Sequence, residues 1–151
     1  MAAPPAGDCG DARFEAEVLQ RVNAFRAAPR SCGAKGRFAA APPLRWSAPL
    51  AEAALGHTRE MAARGVLSHD SADGRSLSDR VDAAGYAWRA LGENVAAGQA
   101  SIARVVDSWA HSDGHCANLM GPRFTELGVA CVLQESSGRR WWTMDLGQPR
   151  R

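Results

Sequence analysis

The chain has 151 residues, the usual length of one domain, and 46% of them are hydrophobic. This size and composition allow a substantial buried core and exclude an extended disordered protein. The formal net charge is only +2, and the basic residues, all arginine except Lys35, are spread along the chain. Because nucleic-acid binders gather such residues on one face, no nucleic-acid partner is predicted. No apolar run approaches the roughly 18 residues of a transmembrane segment, so none is predicted.

Four cysteines permit a complete set of disulfides with three possible pairings. None lies in a C-x-x-C motif, so neither a zinc knuckle nor a thioredoxin-type site is indicated. The pairs Cys9–Cys32 and Cys116–Cys131 are expected, because each closes a short local loop. Disulfides form in oxidising compartments and predict a secreted or periplasmic protein. The alternative is a cytosolic protein with four free thiols.

The N-terminal residues are expected to form a flexible arm over 1–10, which Cys9 ties down if it is paired. The first six residues lack the basic and apolar segments of a signal peptide, so the chain is expected to begin in a mature region. A single domain is predicted over 11–151. Its first helix is predicted over 11–28 with Asp11 as the N-cap, followed by a Gly- and Pro-containing loop over 30–43.

Capping residues predict the next two helices. The second is predicted over 47–64, with Ser47 as its N-cap and Gly65 as its C-terminal stop. A capping box that starts at Ser76 opens a short third helix, which ends near residue 84.

The C-terminal half changes from helical to β character. A strand is predicted over 88–96, a fourth helix over 101–112 and a turn of helix over 115–120. Two β-rich runs, 128–133 and 141–146, flank a Ser-Ser-Gly turn and predict a β-hairpin. The residues alone therefore establish an α+β mixture.

The tryptophans are expected to serve packing. Trp109 lies on the inner face of the fourth predicted helix. Trp141 and Trp142 are consecutive in a predicted strand, and side chains alternate between the two faces of a strand. One of these two is therefore expected to face outward.

Four histidines are candidates for metal binding or acid–base chemistry. His111 and His115 have the i, i+4 spacing of a helical metal pair, but Gly114 interrupts the helix and the Glu of the H-E-x-x-H protease motif is missing. His57 lies on the apolar face of the second helix and is expected to be a hydrogen-bonded residue of the core or cleft floor. His111 is expected at the surface. The pattern alone ranks no pair of the four as a site.

Several motifs follow one another in a distinctive order. Leu67-Ser68-His69 precedes Gly92-Glu93-Asn94, then come Trp109-x-x-Ser112-x-Gly114-His115 and a hairpin that begins at Glu126. In this order they resemble the CAP superfamily of cysteine-rich secretory, venom antigen and pathogenesis-related proteins, above all its bacterial branch, over about residues 14–147. The resemblance implies an α+β fold, a three-layer α-β-α sandwich with a small, mainly antiparallel sheet.

The resemblance also implies a cleft that can hold a divalent metal such as Zn²⁺. His69 and His115 match the two histidines of the family, and Glu93 matches its Gly-Glu-Asn acid. In the family such an acid contacts the metal through water, and the alternative is that Glu93 hydrogen-bonds a histidine ring and fixes its tautomer. Ser112 takes the place at which many eukaryotic members carry a second Glu, so the metal site is expected to be weak. The residues expected to line the cleft or contact a ligand are Glu93, Ser112, His57 and Asn94.

Two classes of function follow from this cleft. The first is a secreted binding module for a lipid or sterol, a cell-wall glycan or a protein. The alternative is a metal-assisted or His/Glu acid–base hydrolase of peptide or cell-wall polymer, in which Glu93 is the catalytic residue. The missing second acid and the lack of an activated nucleophile favour the binding module. A third interpretation gives Glu93 only a structural role and leaves the cleft idle.

Overall fold

Helices cover both faces of a four-stranded sheet in the computed structural model, which describes residues 6–150. The architecture is the α+β, three-layer sandwich that the resemblance implies. The helices are α1 (Phe14–Arg26), α2 (Ala48–Arg64), α3 (Leu77–Ala83), α4 (Ile102–Ala110) and α5 (Asp113–Leu119). The strands are β1 (Arg30–Ser31), β2 (Arg37–Phe38), β3 (Arg45–Trp46), β4 (Trp88–Ala97), β5 (Glu126–Gln134) and β6 (Arg139–Pro149).

The main sheet has the strand order β3-β5-β6-β4. Strand β3 pairs parallel with β5, whereas β5–β6 and β6–β4 are antiparallel. The β5–β6 hairpin therefore lies in the middle and β4 forms an edge. The register places Glu93 of β4 directly opposite Asp145 of β6. Strands β1 and β2 form a separate small hairpin within residues 30–43, which were predicted as a loop. The sequence did not reveal these strands because two residues are too few to show an alternating pattern.

The two faces of the sheet are both buried. Trp142 stacks on Phe14 of α1 with ring centroids 6.2 Å apart, whereas Trp141 packs beneath α2 beside Met61. Both tryptophans are buried, so the expectation that one faces outward is wrong. Alternation does send them to opposite faces, but in a three-layer fold helices cover each face.

Helix α2 approaches the sheet closely. A Cβ atom on Gly128 of β5 would lie 2.0 Å from the backbone nitrogen of Ala51 in α2. The absence of a side chain at this position therefore lets the helix backbone rest on the strand. The close contact sets the distance between α2 and the sheet, and so the position of His57 further along the helix.

Most of the predicted helix ends are confirmed. The Ser47 hydroxyl accepts the Leu50 N–H, and Gly65 adopts φ 67°. The capping box that opens α3 at Ser76 is present. The first helix begins at Phe14, however, and its predicted N-cap is wrong: the carboxylate of Asp11 accepts the N–H of Arg13 in a preceding turn.

The disulfides join Cys9 to Cys131 and Cys32 to Cys116, with Cα atoms 5.3 and 5.5 Å apart. The expected pairs Cys9–Cys32 and Cys116–Cys131 are therefore wrong. Closeness in sequence does not bring these residues together, because Cys131 lies in the central strand β5 whereas Cys116 lies on α5 against the Gly33–Lys35 turn.

The start of the described chain is attached to the sheet. The carbonyl of Gly7 accepts the N–H of Cys131, Asp8 forms a β-bridge with the same residue, and Cys9 is disulfide-bonded to it. The predicted arm also includes residues 1–5, which lie outside the described residues. Over residues 6–150, no helix is long and apolar enough to cross a membrane.

Candidate functional site

His69 lies in an irregular segment, residues 65–76, that joins α2 to α3. Its side chain is 57% exposed. Two polar contacts hold the backbone around it. The His57 ring, through Nε2, donates to the carbonyl of Ser68 at 2.6 Å, and Arg80 Nη2 donates to the carbonyl of His69 at 2.5 Å. A helix on either side of the segment therefore anchors the residue that carries the exposed imidazole.

Glu93 is the buried acceptor at the centre of the site, with its side chain only 2% exposed. Its Oε1 accepts from His69 Nδ1 at 2.9 Å and from Arg80 Nη2 at 3.2 Å, and its Oε2 accepts from Arg80 Nη1 at 2.8 Å. Burial alone would raise the pKa of Glu93, but the hydrogen bonds from His69 and Arg80, together with the positive charge of Arg80, outweigh it and lower the pKa well below its usual range. Glu93 is therefore a carboxylate with both oxygens occupied.

Asp145 faces Glu93 from strand β6 and is completely buried. Burial first, and then the negative charge of Glu93, raise the pKa of Asp145 well above its usual range. The raised pKa favours the protonated form of Asp145, which leaves Arg80 and Glu93 as oppositely charged partners. Their attraction and their hydrogen bonds offset part of the cost of burying the two ions.

The hydrogen bond with Glu93 fixes the tautomer of His69. An ionised carboxylate only accepts hydrogen bonds, so His69 Nδ1 carries the proton and Nε2 keeps its lone pair when the ring is neutral. The same hydrogen bond raises the pKa of His69, against the lowering effect of burial. The site thus presents a polarised imidazole whose free nitrogen is available to a ligand.

His115 is brought to the same edge of the sheet by two asparagines. Asn94 Nδ2 of β4 donates to the carbonyl of His115 at 3.2 Å, and Asn118 Nδ2 of α5 donates to the carbonyl of Glu93 at 3.1 Å. Burial, followed by the charge of His69, lowers the pKa of His115. The two imidazoles therefore interact electrostatically, and the His115 ring makes no hydrogen bond to any other part of the described chain.

The other residues assigned to the cleft take supporting places. Asn94 is fully buried and links β4 to α5. Ser112 is the N-cap residue of α5, and its side chain makes no capping hydrogen bond. His57 is buried beneath the His69 segment, whereas His111, at the end of α4, lies at the surface as expected.

Sequence reasoning missed Arg80 and Asp145 as members of the site. A signal existed for Asp145, since it interrupts the otherwise apolar second half of β6, where a charged residue needs a partner. Arg80 belongs to an Arg-Val motif in the short helix α3, but nothing local distinguishes it from the many exposed arginines.

A metal ion at this site would find two imidazole donors from this chain, those of His69 and His115. Among residues 6–150, no three His, Cys, Asp or Glu side chains come together as a group that could hold a metal ion. Glu93 is excluded as a direct ligand because both oxygens are already bound, but a carboxylate that orients a ligating histidine is a common feature of zinc sites. The protein donors would then be His69 Nε2 and the ring of His115, and a site with so few protein ligands would leave other positions to water.

The pKa of His57 leads to a stability prediction. Burial and the charge of Arg80 lower this pKa, against opposing effects of Glu93, Ser68 and Glu60. As the pH falls below about 6.5, His57 is protonated in the unfolded chain before it is protonated in the folded protein. Protonation therefore favours the unfolded state, and His57 lowers the free energy of unfolding as the pH falls from about 6.5 toward its lower folded-state pKa. The slope is at most about 1.4 kcal/mol per pH unit.

Urea unfolding between pH 7.5 and 5 measures the pH dependence of stability in wild type and in His57→Gln. The glutamine amide of this variant can still donate to the Ser68 carbonyl. We expect the variant to lose stability less steeply than wild type as the pH falls. Parallel curves would contradict a buried, neutral His57.

A helix-covered sheet with a histidine–carboxylate pair at its edge strand is the arrangement that the sequence resemblance implied. Residues 19–146 match the sequence profile of CAP, the cysteine-rich secretory protein family, and the chain belongs to that family.

The chain is similar to the uncharacterized protein YkwD of Bacillus subtilis (strain 168), with 30% identity over 135 residues, which are 89% of this chain and 48% of YkwD. It therefore spans about half the length of that relative. An extracellular protein containing an SCP domain from Bacillus anthracis str. Ames has the same fold, with a TM-score of 0.71 and 23% identity over 97% of this chain and 45% of that one. NaASP2, in a crystal structure with Zn²⁺, superposes with a TM-score of 0.63 and 14% identity over 97% of this chain and 84% of that one.

Proposed function

We propose that this chain is a secreted binding module whose cleft binds a ligand, or a weakly held Zn²⁺, between His69 and His115. The observation that carries the proposal is the state of Glu93. Its carboxylate is buried, ionised and bound by both Arg80 and His69. It therefore orients an imidazole and has no free oxygen with which to activate water.

A hydrolase is less well supported because the cleft has no activated nucleophile. All four cysteines are in disulfides. Within residues 6–150, no Ser, Thr or Tyr hydroxyl is hydrogen-bonded to the ring of His69 or His115, and the nearby Ser68 hydroxyl accepts the Asp70 N–H. Covalent catalysis requires a nucleophile within reach of its base.

Zn²⁺ suits two neutral imidazoles better than it suits a site of oxygen ligands alone. NaASP2, which shares the fold, has been crystallised with this metal. When bound, zinc supplies an electrophilic centre with exchangeable water positions. The part played by this chain is to hold the proton of the neutral His69 ring on Nδ1 and to aim Nε2 through Glu93.

The polar character of the cleft favours an oxygen-rich ligand such as a cell-wall glycan over an acyl chain. The exposed imidazole of His69 and the ring of His115 can hydrogen-bond to hydroxyl or carbonyl oxygens, whereas the Arg80–Glu93 pair behind them is buried and already paired. The disulfides and the extracellular relative from Bacillus anthracis support action outside the cell.

Isothermal titration calorimetry with zinc chloride tests the metal site. We expect saturable 1:1 binding in wild type, because the two imidazoles share one edge of the sheet. His69→Ala or His115→Ala should abolish it. His111→Ala is the matched control and should bind like wild type, since His111 projects into solvent at the end of α4. No saturable heat in wild type, or full binding by His69→Ala, would contradict the site.

Turnover assays separate the binding module from the hydrolase. Wild type and Glu93→Gln are incubated with peptides and with peptidoglycan fragments. We expect no turnover by wild type. A measurable wild-type rate that disappears in Glu93→Gln would favour the hydrolase instead.

A further inference from the structure

We infer that Arg80 is a positioning residue for the cleft, which sets the direction in which His69 presents Nε2. Arg80 contacts both the carboxylate that binds the imidazole and the backbone that carries it. The consequence for ligand affinity rests on the function proposed above, whereas the consequence for the geometry of His69 does not.

The contacts of Arg80 form a closed circuit. Its Nη1 donates to Glu93 Oε2, and its Nη2 donates to Glu93 Oε1 and to the carbonyl of His69. The circuit is completed where His69 Nδ1 meets Glu93 Oε1. Because the guanidinium is planar and rigid, the carboxylate and the His69 backbone cannot move independently while it binds both.

Apolar packing does not hold the His69 segment in place. The hydrophobic residues next to it, Val66 and Leu67, are 41% and 52% exposed. The anchors are instead the contacts of Arg80 and Glu93, the hydrogen bond from His57 to Ser68 and the hydrogen bond that the Ala72 N–H donates to Glu60. Loss of the Arg80 contacts therefore leaves the backbone of His69 itself without an anchor, although the residues before and after it stay attached to α2.

Asp145 completes the support from the opposite side. It lies across from Glu93 in the β4–β6 register and is completely buried. A carboxylate enclosed between Asp145 and the Arg80 guanidinium is not free to rotate away from His69. Lysine in place of Arg80 keeps the charge but has no fork to bind the carboxylate and the carbonyl together.

The experiment compares Arg80→Lys with Arg75→Lys. Arg75 is a matched control because it lies in the segment that carries His69 but pairs with the exposed Asp73 and not with Glu93. The first readout uses metal-free protein: ¹⁵N shifts of the His69 ring and amide exchange of residues 68–70. We expect Arg80→Lys to mix the two His69 tautomers and to speed exchange about tenfold, which corresponds to one lost charged hydrogen bond. Arg75→Lys should match wild type.

The second readout is zinc affinity. Arg80→Lys should weaken it about 10- to 100-fold, the usual effect of disturbing a residue behind a metal ligand. If wild type binds no zinc, the proposed function fails, but the metal-free readout still decides the role of Arg80. Ring shifts and exchange rates in Arg80→Lys that equal those of wild type would overturn the inference.

A measurement on the wild-type protein covers the case in which Arg80→Lys does not fold. The Nη1 and Nη2 protons of Arg80 should give separate, exchange-protected signals in ¹⁵N guanidinium spectra, because each nitrogen is held by its own acceptors. A single averaged Arg80 signal would show a freely rotating guanidinium and would also overturn the inference.

Discussion

Arg80→Met is expected to lower the free energy of unfolding by about 3–5 kcal/mol at pH 7, the usual cost of leaving one member of a buried ion pair without its partner. Methionine replaces the apolar stem of arginine and lacks only the guanidinium, so the loss arises mainly from the unpaired charge of Glu93. Hydrogen bonds keep the pKa of Glu93 low in the folded wild type, so its contribution is fully present above about pH 4.5 and is lost as the pH falls further. The gap between variant and wild type should therefore narrow toward pH 4.

Two controls belong with this result. The double variant Arg80→Met/Glu93→Gln should recover part of the loss, because it no longer contains a buried, unpaired charge. Arg75→Met removes an exposed pair with Asp73 and should leave the free energy of unfolding close to that of wild type. Urea unfolding at pH 7 and pH 4 measures the free energy of unfolding of wild type and of each variant. A loss for Arg80→Met that is the same at both pH values would contradict the assigned ion pair.

Removal of either disulfide is expected to have a comparable effect. Cys9–Cys131 spans 122 residues and Cys32–Cys116 spans 84. The chain-entropy relation gives about 4–5 kcal/mol for loops of these lengths, an upper value because the two loops are nested. The double variants Cys9→Ala/Cys131→Ala and Cys32→Ala/Cys116→Ala, unfolded in urea, check the size of the loss.

The disulfide pairing itself is tested by peptide mapping of non-reduced protein. We expect fragments that join Cys9 to Cys131 and Cys32 to Cys116. A fragment that joins Cys9 to Cys32 would contradict the fold around α5 and β5. The mapping uses the wild-type protein, so it tests which cysteines are joined independently of how much each disulfide contributes to stability.

Elements with local signals were predictable from the sequence. Ser47, Gly65 and the capping box at Ser76 mark helix ends through hydrogen bonds within one turn of the chain, and the structure retains these ends. The strand over 88–96 and the terminal hairpin were likewise visible in their patterns. Such features depend on neighbours in sequence, so the sequence alone contains the information.

The features that were missed depend on distant parts of the chain. Cys131 meets Cys9 because β5 lies at the centre of the sheet, and a preference for short loops could not anticipate that. Trp141 and Trp142 are both buried because helices from different parts of the chain cover the two faces. The start of α1 was misplaced because Asp11 serves a local turn instead.

The candidate site was predictable only in part. The order of the motifs selected His69, Glu93 and His115 from a larger set of polar residues. It could not show that Arg80 occupies both oxygens of Glu93, because that contact requires α3 to pack against β4. The sequence left Glu93 either as an acid available for chemistry or as a partner that fixes a histidine tautomer, and its contacts with His69 and Arg80 favour the second role.

The most direct test of the cleft is a crystal structure of the protein grown with zinc, with anomalous difference maps recorded at the zinc absorption edge. We expect one anomalous peak between His69 Nε2 and the ring of His115, with Glu93 still bound to His69 Nδ1 and to Arg80. A zinc ion held directly by Glu93 with Arg80 displaced, or no peak between the two histidines, would contradict the account.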